Sequence, residues 1–288
     1  MSITEAKKTA IRRTIKDLQH FFSIKGVQVL EIGSLGTVVA EDLLKLGAKS
    51  VICSNIKENA DIIESERIKY MQLDATKTGL ESESVDFVFG RAVLEHIDHI
   101  DCLRDEIFRI LKPGGRFYLD GAPMWASPTG HHLWVKTPSG KFYNFFENCP
   151  LHNWEHLSLS EAEMVKVLLS RGIESEDADA LTNFVYHSSF LNRTLTSTIC
   201  TLFKEHKMLD IAITKDCFAK TPPTNLITRF NLIDLTTSRL CIAGRKKFYE
   251  MEPNTLSFKH LTTESWLRTK LVLKSIKYKI QSILKSRT

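Results

Sequence analysis

Residues 27–37 read VQVLEIGSLGT, an apolar run that ends in an acid and leads into a glycine turn. The apolar run is typical of a buried β-strand, and residues 38–46 after the turn have a helical pattern. A strand, a glycine turn and a helix in this order form the nucleotide pocket of many α/β proteins. The stretch therefore predicts a ligand site at the end of a parallel strand.

The alternation of strand and helix patterns continues beyond this stretch. A helical pattern at 100–111 ends at the sequence KPGG, because proline cannot continue a helix and glycine readily caps one. Strands that alternate with helices predict a parallel sheet with right-handed crossovers, and hence an α/β protein. The apolar runs that we predict as strands are 27–32, 50–53, 70–73, 85–90, 116–119, 211–213 and 240–243.

The composition is that of a soluble protein in a reducing compartment. The 288 residues are 43% hydrophobic and 25% charged, which is ordinary for a globular protein. No apolar run approaches the roughly 18 residues that a membrane-spanning helix needs. The six cysteines are scattered without a CxxC pair, which argues against zinc binding and disulfides. We therefore expect a cytoplasmic protein.

Both ends of the chain have amphipathic helical patterns. Residues 1–24 place apolar side chains at helical spacing from Ile11 to Phe22, which predicts a docked N-terminal helix. Residues 259–288 carry eight Lys or Arg and one acid, a net +7, so the rest of this +5 chain carries −2. The nearly neutral body disfavours nucleic acid as a partner. The basic tail predicts peripheral contact with a membrane surface, or docking on the body.

Two stretches interrupt the α/β pattern. Residues 122–158 are rich in His, Trp, Pro and Gly, and an irregular segment of this length is usually functional or disordered. Three of the four tryptophans lie in it, which favours an ordered insertion. Ser160-Glu-Ala-Glu163 is a capping box that predicts a helix start, and residues 176–208 predict a helical insertion.

Three stretches of the first half carry a more specific signal. They are VLEIGSLGT (29–37), YMQLDAT (70–76), and SVDFVFGRAVLEHI (84–97) with the following LRDEIFRILKPGGRFYLDG (103–121). Together they resemble the class I S-adenosylmethionine-dependent methyltransferases, in particular the small-molecule, type 11-like branch. The resemblance implies a Rossmann-like, doubly wound, seven-stranded and mostly parallel sheet. It implies a domain over 25–250, with 122–158 as the substrate cover.

The resemblance implies S-adenosylmethionine as the cofactor of the glycine loop. Glu31 and Gly33 match the acid and the first glycine of the family's loop, and Ser34 and Gly36 lie in the same turn. The family's later glycines are replaced by Leu35 and Thr37. A pyrophosphate needs a second glycine for close approach of the backbone, whereas the sulfonium cofactor has no phosphate. The loop therefore favours the sulfonium cofactor over nicotinamide.

Further cofactor contacts follow from the resemblance at the ends of later strands. Asn55 stands where the family has an acid for the ribose hydroxyls, and an amide makes weaker hydrogen bonds than a carboxylate. Asp74 matches the acid that pairs with the adenine amino group, and Ala75 offers its backbone. Gly90 and Arg91 lie where the family's pocket opens.

Histidines are the candidates for catalysis. Methyl transfer to a hydroxyl requires removal of a proton, and histidine is the natural base. His96 follows the pocket segment directly, and His131 and His132 lie in the insertion. We predict these three as catalytic and expect no resident metal, although a cation held by the histidines stays open. Residues 152–156 fit the H-x-x-E-H zinc pattern, but their turn-rich flanks argue against a metalloprotease.

The sequence thus predicts a methyltransferase that acts on a small-molecule acceptor. Tryptophans beside histidines in 122–158 suit stacking on a sugar ring, which favours O-methylation in saccharide or glycan biosynthesis. Two alternatives remain. The altered glycine loop and Asn55 favour a cofactor-binding or scaffolding protein with impaired catalysis. An RNA methyltransferase is the other, and the neutral body speaks against it.

Overall fold

The computed structural model describes residue 15 and residues 22–58 and 61–248. Its main feature is a seven-stranded sheet of spatial order β3-β2-β1-β4-β5-β9-β8, with a separate two-stranded hairpin of β6 and β7. The first five strands of that order pair in parallel, and β9 pairs antiparallel with both β5 and β8, so it is the reversed strand of the sheet. The strands are β1 (Gln28–Ile32), β2 (Ser50–Asn55), β3 (Ile68–Gln72), β4 (Val85–Gly90), β5 (Leu111–Gly121), β6 (Trp134–Lys136), β7 (Phe142–Asn144), β8 (Leu209–Cys217) and β9 (Thr237–Lys246).

Helices cover both faces of the sheet. Val29 and Leu30 are neighbours in β1 and therefore face opposite sides. Val29 packs in a buried cluster with Leu43 of α1, and Leu30 in a second cluster with Ile107 of α2. The described helices are α1 (Val38–Lys45), α2 (Ile100–Ile110), α3 (Glu155–Ser158), α4 (Glu161–Ser170), α5 (Ser175–His187), α6 (Thr196–Glu205), α7 (Thr224–Ile227) and α8 (Leu232–Thr236).

The expected Rossmann-like, doubly wound fold is confirmed. All seven predicted strands occur, and they form one mostly parallel sheet. The order reverses between β1 and β4, and in open α/β sheets the crevice outside the carboxyl ends at such a point receives ligands. One boundary differs, because β5 begins at Leu111 and runs through the KPGG sequence instead of starting at Arg116.

The segment 122–158 is ordered by a core of its own. It contains the β6–β7 hairpin and the four-residue helix α3. Leu133 and Tyr143 of this segment are buried together with Met164 of α4 and Leu181 of α5. The capping box at the start of α4 is present, with Ser160 and Glu163 bonded reciprocally. The segment is thus packed on helices rather than lying loosely on the surface.

The ends of the chain are described only in part. Ile15 is helical and buried, while most of the predicted helix at 1–24 lies outside the described residues. The predicted basic helix at 259–288 lies wholly outside them. Within 176–208, α5 and α6 are separated by residues 188–195. Among the described helices, none has the length and apolar character to cross a bilayer.

Candidate functional site

The glycine turn after β1 is tightly packed. Gly33 has a φ of +73°, which favours glycine, and a Cβ there would lie 2.8 Å from Cγ1 of Val93. The backbone N–H of Ser34 donates to the Ser54 carbonyl at 2.8 Å, which ties the turn to β2. Gly36 also has a positive φ, of +132°. The turn therefore has a defined shape although Leu35 and Thr37 replace glycines.

Glu31 is a buried acid at the end of β1. Glu31 is only 4% exposed, and burial raises its pKa to about 7. Hydrogen bonds with Ser34 and Cys53 lower the pKa by less than burial raises it. Its Oε2 has no hydrogen-bond partner among the described residues. A buried oxygen of this kind is expected to receive a donor from a ligand. Glu31 thus suits an ammonium group at the glycine turn.

Asn55 is engaged within the chain. Its Nδ2 donates to the Ser34 carbonyl at 3.0 Å, and its Oδ1 accepts from the Lys57 backbone at 3.2 Å. The side chain therefore braces the glycine turn against β2. The prediction that it takes the place of a ribose-binding acid is weakened, since both ends of the amide already have partners.

Asp74 and Ala75 follow β3 at the same edge of the sheet. Asp74 is exposed, and its Oδ1 accepts from the backbone and the hydroxyl of Thr76 at 2.8 and 2.7 Å. Ala75 is partly buried against the core. The contact of these residues with an adenine ring stays a prediction, and the observed bonds show Asp74 shaping its own turn.

Gly90 and Arg91 lie where β4 ends. A Cβ on Gly90 would meet Leu119 Cδ2 and Val93 Cγ2, each at 2.8 Å, so close packing requires glycine there. Arg91 is partly buried, and its Nε has no hydrogen-bond partner in the described part of the chain. Gly90 precedes the turn 91–96 and Arg91 begins it, and this turn carries the next group of polar side chains.

Asp120 of β5 holds the turn 91–96 in place. Its Oδ1 accepts from the Ala92 backbone at 2.7 Å, and its carbonyl accepts from Val93 and Leu94 at 2.9 and 3.2 Å. Arg239 of β9 forms an ion pair with the same carboxylate. The sequence contains no local signal for this role, because the two strand ends are joined only by the sheet.

Glu95, His96 and His132 form the central cluster of the site. Glu95 is 2% exposed, and burial raises its pKa to about 8. Its Oε1 accepts from the Ala122 backbone at 3.1 Å and lies 3.8 Å from Nε2 of His96. The rings of His96 and His132 are 5.0 Å apart. Sequence reasoning missed Glu95, although the quoted VLEHI contained it.

The protonation states in this cluster follow from contacts and burial. Nδ1 of His96 lies 2.7 Å from the Phe190 carbonyl, which only accepts, so Nδ1 carries the proton. Burial, and then His96, lower the pKa of His132 to about 3. Its Nδ1 has no hydrogen-bond partner among the described residues. The cluster therefore presents a neutral His132 imidazole beside the buried carboxyl group of Glu95.

The same three side chains could hold a metal ion. One ligand atom from each of Glu95, His96 and His132 can be chosen so that all lie within 4.8 Å of one another. Two imidazoles and a carboxylate suit a divalent transition metal. The prediction of no resident metal can therefore be tested at these three residues.

His131 does not belong to this cluster. It is fully buried, its Nδ1 accepts from the Leu133 backbone at 3.2 Å, and its Nε2 lies 3.6 Å from Sγ of Cys149. Burial, and then His156 and His132, hold its pKa well below the usual range. A base must reach its substrate, so the prediction of a catalytic His131 does not fit its position. Its contacts indicate a structural role.

The tryptophans are also placed differently from expectation. Trp154 is 3% exposed, and its Nε1 donates to the Leu235 carbonyl at 3.0 Å. Trp125 is partly buried with the Arg193 guanidinium over its ring. Phenylalanines adjoin the histidines instead, and Phe145 lies 4.6 Å from His132 between ring centroids. The stacking argument for a sugar therefore loses these two tryptophans.

Comparisons with known proteins find similarity in the part of the chain that contains the glycine turn. The sequence profile of the family described as "Methyltransferase domain" matches residues 30–119. The mitochondrial ubiquinone biosynthesis O-methyltransferase of Mus musculus is 29% identical over 106 residues, 33% of this chain and 29% of that protein. The ubiquinone biosynthesis O-methyltransferase of Roseobacter denitrificans is 31% identical over 110 residues, 35% of this chain and 43% of that protein. The match thus spans less than half of either relative.

A solved structure is similar at lower sequence identity. The S-adenosylmethionine-dependent methyltransferase of Mesorhizobium loti has a TM-score of 0.48 and 16% sequence identity. The alignment covers 80% of this chain and 96% of that one.

The sheet order and the glycine turn at its switch point define a Rossmann-like α/β protein. The region 30–119, which contains both the glycine turn and the turn 91–96, belongs to the methyltransferase domain family, of the class I S-adenosylmethionine-dependent type.

Proposed function

We propose that the protein transfers a methyl group from S-adenosylmethionine to a hydroxyl of a small-molecule acceptor. The observation that carries this proposal is the cluster of Glu95, His96 and His132 beside the glycine turn of a methyltransferase domain. The cofactor supplies a methyl group on a sulfonium, which already carries its leaving group. The protein has to position the acceptor and take up its proton.

The residues at the carboxyl edge fit the cofactor. The buried Oε2 of Glu31 has no hydrogen-bond partner in the described part of the chain and suits the cofactor's ammonium group, and pairing would favour the ionised carboxylate. The turn 33–36 offers backbone groups to the carboxylate. Ile56 is 63% exposed next to Asn55 and offers an apolar face to the adenine. Asp74 and Ala75 continue the same edge.

The histidine pair is the means of proton removal. Since Nδ1 of His96 carries the proton, its Nε2 is the basic nitrogen and faces Glu95. In one mode Nε2 accepts the hydroxyl proton directly. In the other, Glu95, His96 and His132 would hold a divalent cation, which would make a hydroxyl bound beside it more acidic. Chelation with EDTA separates the two modes, since only the second loses turnover and regains it with Mn²⁺ or Zn²⁺.

The acceptor that we propose is a phenol rather than a saccharide. Phe145 lies against His132, and Phe190 lies 4.3 Å from His96 between ring centroids. Aromatic walls favour a planar apolar ring, and a phenol loses its proton more readily than a sugar hydroxyl. The relatives named above are O-methyltransferases of ubiquinone biosynthesis, which supports the same chemical class.

The proposal is tested by binding and by transfer. Titration calorimetry of the full chain with S-adenosylmethionine and S-adenosylhomocysteine is expected to show heat for both. Label from methyl-tritiated cofactor is expected on a catechol and not on glucose. His132→Gln is expected to lower transfer about 10²-fold and to leave the Kd of the cofactor unchanged.

A matched control is His152→Gln, since this histidine has a side chain that is 78% exposed and lies outside the cluster. It is expected to retain full transfer. Absence of heat at high protein concentration contradicts the cofactor assignment. Transfer to saccharides alone contradicts the phenolic acceptor, and full activity of His132→Gln contradicts the role of the cluster.

The second candidate is a cofactor-binding protein without turnover. The engaged amide of Asn55 favours it, because a ribose-binding carboxylate is missing there. Heat with S-adenosylhomocysteine, combined with no transfer to any phenol or saccharide, is the outcome that this alternative predicts.

A further inference from the structure

The linker between α5 and α6, residues 188–195, lies on the turn that carries Glu95 and His96. Asn192 in this linker is 4% exposed. Its backbone N–H donates to the Glu95 carbonyl at 2.8 Å. Its Nδ2 donates to the Leu94 carbonyl at 3.1 Å and also to the Ile97 carbonyl. One residue thus satisfies three carbonyls of a turn that is about 95 positions away in the chain.

These bonds matter because the turn is not part of a helix or a sheet ladder. Buried carbonyls without a partner cost free energy, so a turn with this shape needs donors from elsewhere. Asp120 supplies acceptors for the N–H groups at 92–94, and Asn192 supplies donors for the carbonyls at 94, 95 and 97. The two residues hold opposite sides of the same turn.

The linker also fixes the imidazole of His96. The Phe190 carbonyl accepts from Nδ1 of His96 at 2.7 Å, two positions before Asn192. This bond selects the tautomer in which Nε2 is the acceptor. A change in the linker therefore alters both the backbone of the turn and the tautomer of its histidine.

The linker is itself held in one conformation. Arg193 donates to the carbonyls of Val185, Ser188 and Leu191 at 2.8, 3.1 and 3.2 Å. The Asn192 Oδ1 accepts from the Thr194 backbone at 2.7 Å. A rigid support of this kind keeps a catalytic group within the narrow geometry that proton transfer requires.

We propose that Asn192 is a positioning residue, which acts through the turn 94–97 and through the Phe190 carbonyl to set the orientation and tautomer of His96. Its catalytic consequence rests on the proposed function, whereas its effect on the tautomer does not. No contact of Asn192 with the acceptor or the cofactor is part of this role.

The test is the tautomer of His96 in the full chain, measured by NMR with ¹³C- and ¹⁵N-labelled histidine. His96→Gln identifies the resonance of His96. The wild type is expected to show the Nδ1–H form, and Asn192→Ala a mixture of both tautomers. The matched control is Ser197→Ala, which removes a 2.8 Å hydrogen bond to Asp234 at the start of α6 without touching the turn.

Methyl transfer is the second measurement. Asn192→Ala is expected to lower kcat at least tenfold with an unchanged Kd for S-adenosylmethionine, while Ser197→Ala keeps kcat at a similar melting temperature. Should Asn192→Ala not fold, Asn192→Ser retains one donor and is expected to give an intermediate tautomer ratio. A folded Asn192 variant with the His96 resonance of the wild type overturns the proposal. Failure of the wild type to bind the cofactor contradicts the proposed function, and the tautomer result still decides the role of Asn192.

Discussion

At the scale of single residues, the two buried glutamates of the site have raised pKa values. Glu31 and Glu95 have pKa values of about 7 and about 8 in the fold, against 4.5 when exposed. Burial is the largest cause in each case, so the fold favours the protonated form. Both acids therefore ionise near physiological pH. A cationic ligand beside Glu31 would favour its ionised form and lower its pKa.

Stability is expected to reflect this titration. The pKa of each glutamate is higher in the folded protein than in the unfolded chain. Each therefore contributes stability that is fully present below about pH 4.5 and is lost as pH rises through about 7 for Glu31 and about 8 for Glu95. Glu31→Gln imitates the protonated acid, so the stability of the wild type relative to this variant is expected to fall between pH 5 and 8.5. Urea unfolding across that range measures it.

The buried histidines do not obscure this comparison. Their pKa values are lowered, so they destabilise the fold on acidification, and they do so equally in the wild type and in Glu31→Gln. The exposed Glu66 offers the control, since Glu66→Gln is expected to leave the pH dependence unchanged. A difference between wild type and Glu31→Gln that stays constant with pH contradicts the assignment.

At the scale of elements, the glycine turn between β1 and α1 depends on two separable features of Gly33. Gly33→Ala introduces strain at a φ of +73° and a clash with Val93. Gly79 has a φ of +72° with open space around it, so Gly79→Ala isolates the strain. We expect Gly33→Ala to lose more stability than Gly79→Ala, by about 1 to 3 kcal/mol as is usual for overpacking.

The double variant Gly33→Ala/Val93→Ala completes this comparison. It removes the clashing methyl group and is expected to recover part of the lost stability and of the affinity for S-adenosylmethionine. Thermal unfolding and calorimetry provide the two measurements. Equal losses in Gly33→Ala and Gly79→Ala would show that packing against Val93 does not constrain the turn.

The sequence predicted individual strands and helices better than it predicted their packing. The strands at 27–32 and 85–90 were predictable because apolar runs and turn residues are local signals. The extension of β5 to Leu111 was not, since it depends on pairing of Val85 with Leu111 across the sheet. The insertion 122–158 was predicted as ordered, but its packing on α4 and α5 depends on residues far along the chain.

At the scale of the whole molecule, the charge is divided between a neutral body and a basic tail. Residues 259–288 hold a net +7, and their structure lies outside the described residues. We propose that the tail brings the protein to anionic membranes. The full chain is expected to sediment with phosphatidylserine vesicles, and a chain without residues 260–288 to stay in the supernatant.

Two controls define this test. Neutral vesicles and high salt are each expected to reduce sedimentation of the full chain, because attraction between exposed charges is screened. A full-length variant with glutamine at four lysines that share one face of the predicted helix is expected to behave as the truncated chain; these are Lys270, Lys274, Lys277 and Lys285. Equal partitioning of the full and truncated chains contradicts membrane contact by the tail.

The sequence alone determined the sheet, the glycine turn and the family of this domain, because each depends on residues that are close in the chain. It also brought His96 and His132 into consideration. Only the tertiary structure decided that His132 joins Glu95 and His96 while its neighbour His131 packs against Cys149. Adjacent residues receive different neighbours here because long-range packing, and not local pattern, determines which groups each side chain contacts.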